Sequence, residues 1–182
     1  NMIKNIAIAG LTVALLATSA VAAKGGKGGG GTSSTALTSE QLDTLVFIYQ
    51  EEKVARDTYI TLGNLYPNQG TFASIQLSEQ THIDKAEGLC DTYGANTSAI
   101  NENKIGEFVV PVLQELYDTL IEQGSKSELD ALKVGEYVEI TDIDDLEHAE
   151  IGMPADVVNV YENLKAGSYN HLDAFRNAIS KF

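Results

Sequence analysis

Four long segments of this chain space their apolar residues three and four positions apart, and titrating residues break each stripe near its midpoint. The spacing is that of an amphipathic helix with one inward face. The first segment, Thr38 to about Asn64, carries Leu42, Leu45, Tyr49, Glu52, Arg56 and Tyr59. The second, capped by Thr71 and stopped at Gly94, carries Phe72, Ile75, Ala86, Leu89 and Tyr93, with Glu79 and His82 where two core residues belong. The third, roughly residues 127 to 149, carries Leu129, Leu132, Glu136, Glu139, Ile143 and Leu146, with Asp142 one turn beyond Glu139. The fourth, about residues 155 to 180, carries Val157, Tyr161, Leu164, Ser168, His171, Phe175 and Ala178.

Local signals fix the joints. Thr38-Ser-Glu-Gln41 is a capping box, in which Thr38 and Gln41 each bond the other's backbone. Pro67 and Gly70 end the first helix, and Gly94 suits the left-handed residue after the second. A polar loop and a shorter helix ending at Gly124, with Pro111 in its first turn, link the second helix to the third. Ser125 or Ser127 caps the third, and Pro154 precedes the fourth. No segment reads as a strand. The expected fold is therefore an all-α four-helix bundle with one long crossover that carries a short extra helix.

Midpoints of equal antiparallel helices lie at one level, so the interrupting side chains converge. Buried, unpaired carboxylates protonate or find a cation. Glu52, Glu79, Glu139 and Asp142 carry four negative charges, which two divalent cations balance. Arg56 is also able to neutralise one carboxylate. Mixed carboxylate and imidazole donors suit iron or manganese and accept zinc. The expected ligands are Glu52, Glu79, His82, Glu139, Asp142 and His171, with Glu136 as a mobile carboxylate that transfers protons. Against this stands a plainer reading of each residue: His82 as a core histidine bonded to Glu79, and Glu52 as a pair with Arg56. Tyr49, Tyr59 and Tyr161 read as core filling, and His148 as a solvated cation near a helix C-terminus.

Charge narrows the partners. There are 12 basic against 26 acidic residues, a net −14, which lacks the basic footprint that nucleic acid or an anionic membrane surface needs. Lys4 precedes an uncharged run from Ile6 to Ala23, and Ala20 and Ala22 form an A-x-A cleavage pattern. Residues 1–23 therefore read as a secretory signal peptide, residues 24–37 as a glycine-rich linker, and residues 38–182 as the folded domain. That places the domain outside the cell, in the periplasm or at the cell surface, with membrane attachment only where the leader is uncleaved. Cys90 is the lone cysteine, so no intrachain disulfide or thiolate cluster forms.

The helix motifs carry a resemblance. Glu52 to Tyr59, "EKVARDTY", resembles the first-helix Glu-x-x-Ala-Arg-x-x-Tyr segment of rubrerythrin-like proteins. "EQTH", Glu79 to His82, is similar to their second-helix E-x-x-H, and "GEYVE", Gly135 to Glu139, to their third-helix Glu-x-x-Glu pair. The pattern over residues 38 to 180 resembles exported prokaryotic members of the ferritin-like superfamily. The resemblance implies a di-iron oxidoreductase acting on ferrous iron, dioxygen or peroxide. The fourth helix departs from it: "SYNH" puts Ser168 where a carboxylate is expected and keeps His171. Any electron donor must be a separate molecule, since no rubredoxin-type cysteines are present; a homo-oligomer is left open. The alternative is a degenerate bundle with a structural, cell-surface or binding role and no catalysis.

Overall fold

The computed structural model describes residues 36–182; the signal-peptide and linker assignments lie outside the described residues. The described residues form five helices and no strand: α1 (Ser39–Leu65), α2 (Gly70–Tyr93), α3 (Pro111–Gly124), α4 (Glu128–Ala149) and α5 (Ala155–Ile179). The four long helices close a ring in the order α1, α2, α5, α4. Short turns make α1–α2 and α4–α5 antiparallel. Gln41 at the start of α1 donates to the Gly152 carbonyl beyond α4, while Gln69 beyond α1 donates to Glu128 at the start of α4. Hence α4 also runs antiparallel to α1, and the whole ring alternates in direction. This is a helical-bundle fold.

Most joints follow their local chemistry. Thr38 and Gln41 make the reciprocal capping box, Gly94 adopts φ 70°, Pro111 opens α3 and Ser127 caps α4. One cap differs. Helix α2 begins at Gly70, and Gln69, not Thr71, supplies the N-cap oxygen, at 3.4 Å from the Thr71 amide.

The crossover explains why α1 is buried on nearly every side from Ile48 to Tyr59. Residues 102–110 run along its outer face. Gln50 Oε1 accepts from the Val109 and Val110 amides. Lys53 Nζ donates to Asp57 at 2.6 Å and to the Lys104 and Glu107 carbonyls. The Gly106 amide donates to Asp57 from a residue at φ 77°. The polar face of α1 that carries Gln50, Lys53 and Asp57 is thus buried under a hydrogen-bonded strap.

The apolar core is split in two. One cluster holds Tyr59, Phe72, Leu120, Leu132 and Phe175; the other holds Leu45, Ile48, Ile83, Leu146 and Leu164. Gly135 leaves room for the Phe175 ring, which a Cβ at that position would overlap. Along every long helix, the buried polar residues fall between members of the two clusters.

Candidate metal centre

That dividing layer is made of Glu52 from α1, Glu79 and His82 from α2, Glu139 and Asp142 from α4, and Ser168 and His171 from α5, all buried. Spacings of i,i+3 place Glu79 with His82, Glu139 with Asp142 and Ser168 with His171 on single helix faces. The structure therefore brings six of the sequence-expected site residues into one layer.

The tightest group is Glu79, His82 and His171, whose ligating atoms lie within 4.8 Å of one another. His82 Nδ1 stands 3.2 Å from Glu52 Oε2 and 3.1 Å from Glu79 Oε2. His171 Nδ1 stands 2.7 Å from Glu79 Oε1 and 3.5 Å from Glu139 Oε2. The 2.7 Å approach is short, yet neither atom of it has a correctly directed hydrogen bond. The contact is thus an ion pair lying off the N–H axis. The imidazoles stack with centroids 5.2 Å apart and planes 28° from parallel.

Supporting contacts orient this group. His171 Nε2 meets Ser78 Oγ at 2.8 Å, which fixes Nδ1 toward the centre. His82 Nε2 lies over Gly167, where a Cβ would collide with it. Tyr59 donates to Glu139 Oε1 at 2.5 Å, so its hydroxyl has a site role that its place in an apolar stripe hides. Ser168 donates to Asp142 Oδ2 at 2.6 Å. Glu52 Oε1 and Asp142 Oδ1 are buried without partners.

Two expected residues face elsewhere. Glu136 is outside the layer, in an exposed ion pair with Arg176 at 2.9 Å. Arg56 turns from Glu52 to the strap, where it donates to Asp57, Gln80 and Glu102. No arginine therefore neutralises the layer, and the Glu52–Arg56 pair is absent from the structure. His148 is exposed and bonds the Asp144 carbonyl, as a helix-end cation does. Cys90 is a buried free thiol.

Metal-free electrostatics are uneven. Burial pushes the Glu52 carboxyl up to about 7, against the opposing hydrogen bond from His82. Burial and the Glu79 charge push Glu139 up to about 8, and burial holds Asp142 well above the usual range. Burial also opposes ionisation of Glu79, but His171 and His82 outweigh it and hold Glu79 down at about 2. Burial acts against the imidazolium of His82, yet Glu52 and Glu79 raise it to about 11. His171 is raised to about 9 against the same cost, by Glu139 and Glu79. Two stacked imidazoliums around one ionised carboxylate make a costly arrangement that a bound cation would relieve.

A model of the uncharacterised protein domain DUF2202 matches residues 41–181. The chain belongs to the DUF2202 family. The uncharacterized protein MJ0754 of Methanocaldococcus jannaschii is 42% identical over 147 residues, covering 80% of this chain and 78% of that one. The crystal structure of this hypothetical protein matches with a TM-score of 0.76 at 41% identity, over 80% of this chain and 82% of that chain. The DUF2202 match thus spans the bundle and the polar layer.

Gly167 offers a direct test of this geometry. Gly167→Ala should drive His82 Nε2 aside and carry Nδ1 away from Glu52 and Glu79. Displacing a ligand's support of this kind costs on the order of 10–100-fold in metal affinity. Calorimetric titration of Gly167→Ala with Zn2+ or Mn2+ checks it; an affinity equal to wild type would mean that His82 is not a ligand.

Proposed function

We propose that this domain is an exported ferritin-like metalloprotein with a dinuclear carboxylate/histidine centre, taking iron foremost and otherwise manganese or zinc. The observation that carries the reading is the undirected 2.7 Å convergence of His171 Nδ1 and Glu79 Oε1 inside a layer of orphaned carboxylate oxygens. Glu79, His82 and His171 would hold the first metal, and Glu52, Glu139 and Asp142 would supply oxygen donors for the second. A redox-active metal pair held there would pass electrons from an external donor to dioxygen or peroxide, or from ferrous iron to dioxygen. Ser78 and Gly167 set the two imidazoles, Tyr59 holds Glu139, and the two apolar clusters keep bulk water from the layer.

The two positions should differ. The first has two imidazoles and an ionised carboxylate. The second has only carboxylates, each of which already accepts a hydrogen bond, Glu139 from Tyr59, Asp142 from Ser168 and Glu52 from His82. Metal titration should therefore show two steps and release protons, because His82 and His171 start protonated. Asp142→Asn should weaken the second step by at least about 10-fold and leave the first intact, by the scale of orienting-contact losses. A single two-metal step, unmoved by Asp142→Asn, would count against two unequal positions.

The decisive experiment is metal counting after equilibration with iron, manganese or zinc and dialysis. A chain that retains none supports the second reading, a structural bundle without catalysis. The specific observation behind that reading is Ser168, which turns Asp142 into a hydrogen-bonded buried acid in place of adding a ligand.

A further inference from the structure

Glu51 plays no part in the proposed centre, yet it is only 6% exposed, and its Oε2 is buried without a partner. Its carboxyl lies within hydrogen-bonding reach of Asp145 and faces Asp142 and Glu52 as well. Asp142 and Asp145 are i,i+3 on α4 and share a face. Asp142 Oδ1 is buried and unpartnered. Asp145 is half-buried, and the end of α4 around it carries exposed Asp144 and Glu147 and half-buried Glu150. Acidic side chains thus neighbour one another from half-buried Asp145 to buried Glu51, Asp142 and Glu52.

None of the lysine, arginine and exposed histidine side chains near these acids pairs with Asp145, Glu51 or Asp142, and Lys165 and His148 stand at the mouth itself against Glu150 and Asp144. Lys53 and Arg56 face Asp57 and the strap. Lys165 pairs with Glu150 and Glu162. His148 turns its Nδ1 to the Asp144 carbonyl. Other approaches to the centre are less suited to a cation: apolar clusters lie above and below, and at the α2–α5 seam the neutral Ser78 closes on His171.

We propose that Glu51 and Asp145 form the loading route by which a hydrated divalent cation passes from the acidic end of α4, through Asp142, to the Glu79/His82/His171 centre. The proposal rests on the metal reading given above. Oxygen donors handed on in sequence replace the waters of a hard cation one at a time, and an acidic mouth concentrates cations around it.

Co2+ uptake, followed by its visible absorption, and Co2+ release to excess chelator test the route. Glu51→Gln and Asp145→Asn should slow loading and release together by about 10-fold or more, the scale on which charge-lined clefts act. The amount of Co2+ bound and its affinity should stay within about twofold, since a route changes no end state. Glu147→Gln, which removes an equal charge from the exposed face of α4, should leave both rates at wild-type values. Asp145 is half-exposed, so its variant keeps the test usable where Glu51→Gln folds poorly. Unchanged rates with wild-type stoichiometry would overturn the route alone. Faster release with weaker affinity would make Glu51 a ligand and overturn it too. A wild type that takes up no Co2+ would overturn the centre and the route with it.

Discussion

Saturation with a divalent metal is expected to raise the melting temperature by roughly 5–11 °C. A ligand at 100 times its dissociation constant stabilises the native state by about 2.7 kcal/mol, and each kcal/mol moves the midpoint of a domain this size by about 2–4 °C. The physical source is the polar layer. Without metal, Glu52, Glu139 and Asp142 are pushed toward their neutral acids by burial, while two imidazoliums crowd Glu79. A bound pair of cations would ionise the acids, take the place of the imidazole protons and accept lone pairs from the orphaned oxygens. Melts in the presence of Mn2+ or Zn2+ and in excess chelator measure the shift. Superimposable curves, from protein with full helical circular dichroism, would leave the layer as a hydrogen-bonded structural feature.

The fold was largely legible because its signals are periodic and local. Three-four spacing marked all four long helices, and Thr38, Gly94, Pro111 and Ser127 act as their chemistry requires. The errors have one cause each. On α4 the buried, inward series is Leu132, Gly135, Glu139, Asp142 and Leu146. Glycine carries no apolar signal, so the sequence points to Glu136, one step off, and the need for Gly135 appears only against the Phe175 ring. On α1 the run Gln50 to Thr58 is buried all round by a strap from 50 residues later in the chain, through bonds such as Lys53 to the Lys104 carbonyl. A helix with no free face has no stripe to read, so Arg56, expected within reach of the inward carboxylates, bonds Asp57, Gln80 and Glu102 instead.

The candidate site was legible in membership and illegible in detail. Glu52, Glu79, His82, Glu139, Asp142 and His171 stood out because ionisable residues interrupt an apolar period. Glu51 did not, because its neighbour already filled the expected position, and both turn out to be buried. Ser78, Gly167 and the Tyr59 hydroxyl are joined to the layer by contacts across helices, and no spacing rule along one helix reports those.

Glu79→Gln and Glu139→Gln should separate the two roles of the layer's carboxylates. On the proposed reading Glu79→Gln should abolish most of the metal-induced rise in melting temperature, and Glu139→Gln should remove the part that the second position contributes. They should differ without metal. Glu139 is pushed up to about 8 by burial, so near pH 7 it is largely the neutral acid, and Gln keeps its shape and its acceptor for Tyr59. Little stability should be lost. Glu79 is the opposite case, held at about 2 against a usual 4.5 by His171 and His82 despite its burial. At about 1.36 kcal/mol per pKa unit, that preference for the ion is worth about 3 kcal/mol. His82 moves further from its usual value than Glu79 does, because Glu52 also faces it; the smaller Glu79 shift counts only what Glu79 contributes. A lowered carboxyl stabilises above its unfolded value and loses that contribution as pH falls from about 4.5 toward about 2. Near pH 7 the term is therefore fully present, and metal-free Glu79→Gln should melt roughly 6–12 °C below wild type, at about 2–4 °C per kcal/mol. The gap between the two should close as pH is lowered through that same window. Equal metal-free stabilities for wild type and Glu79→Gln at pH 7 would show that the imidazoles are neutral without metal and do not hold the Glu79 charge.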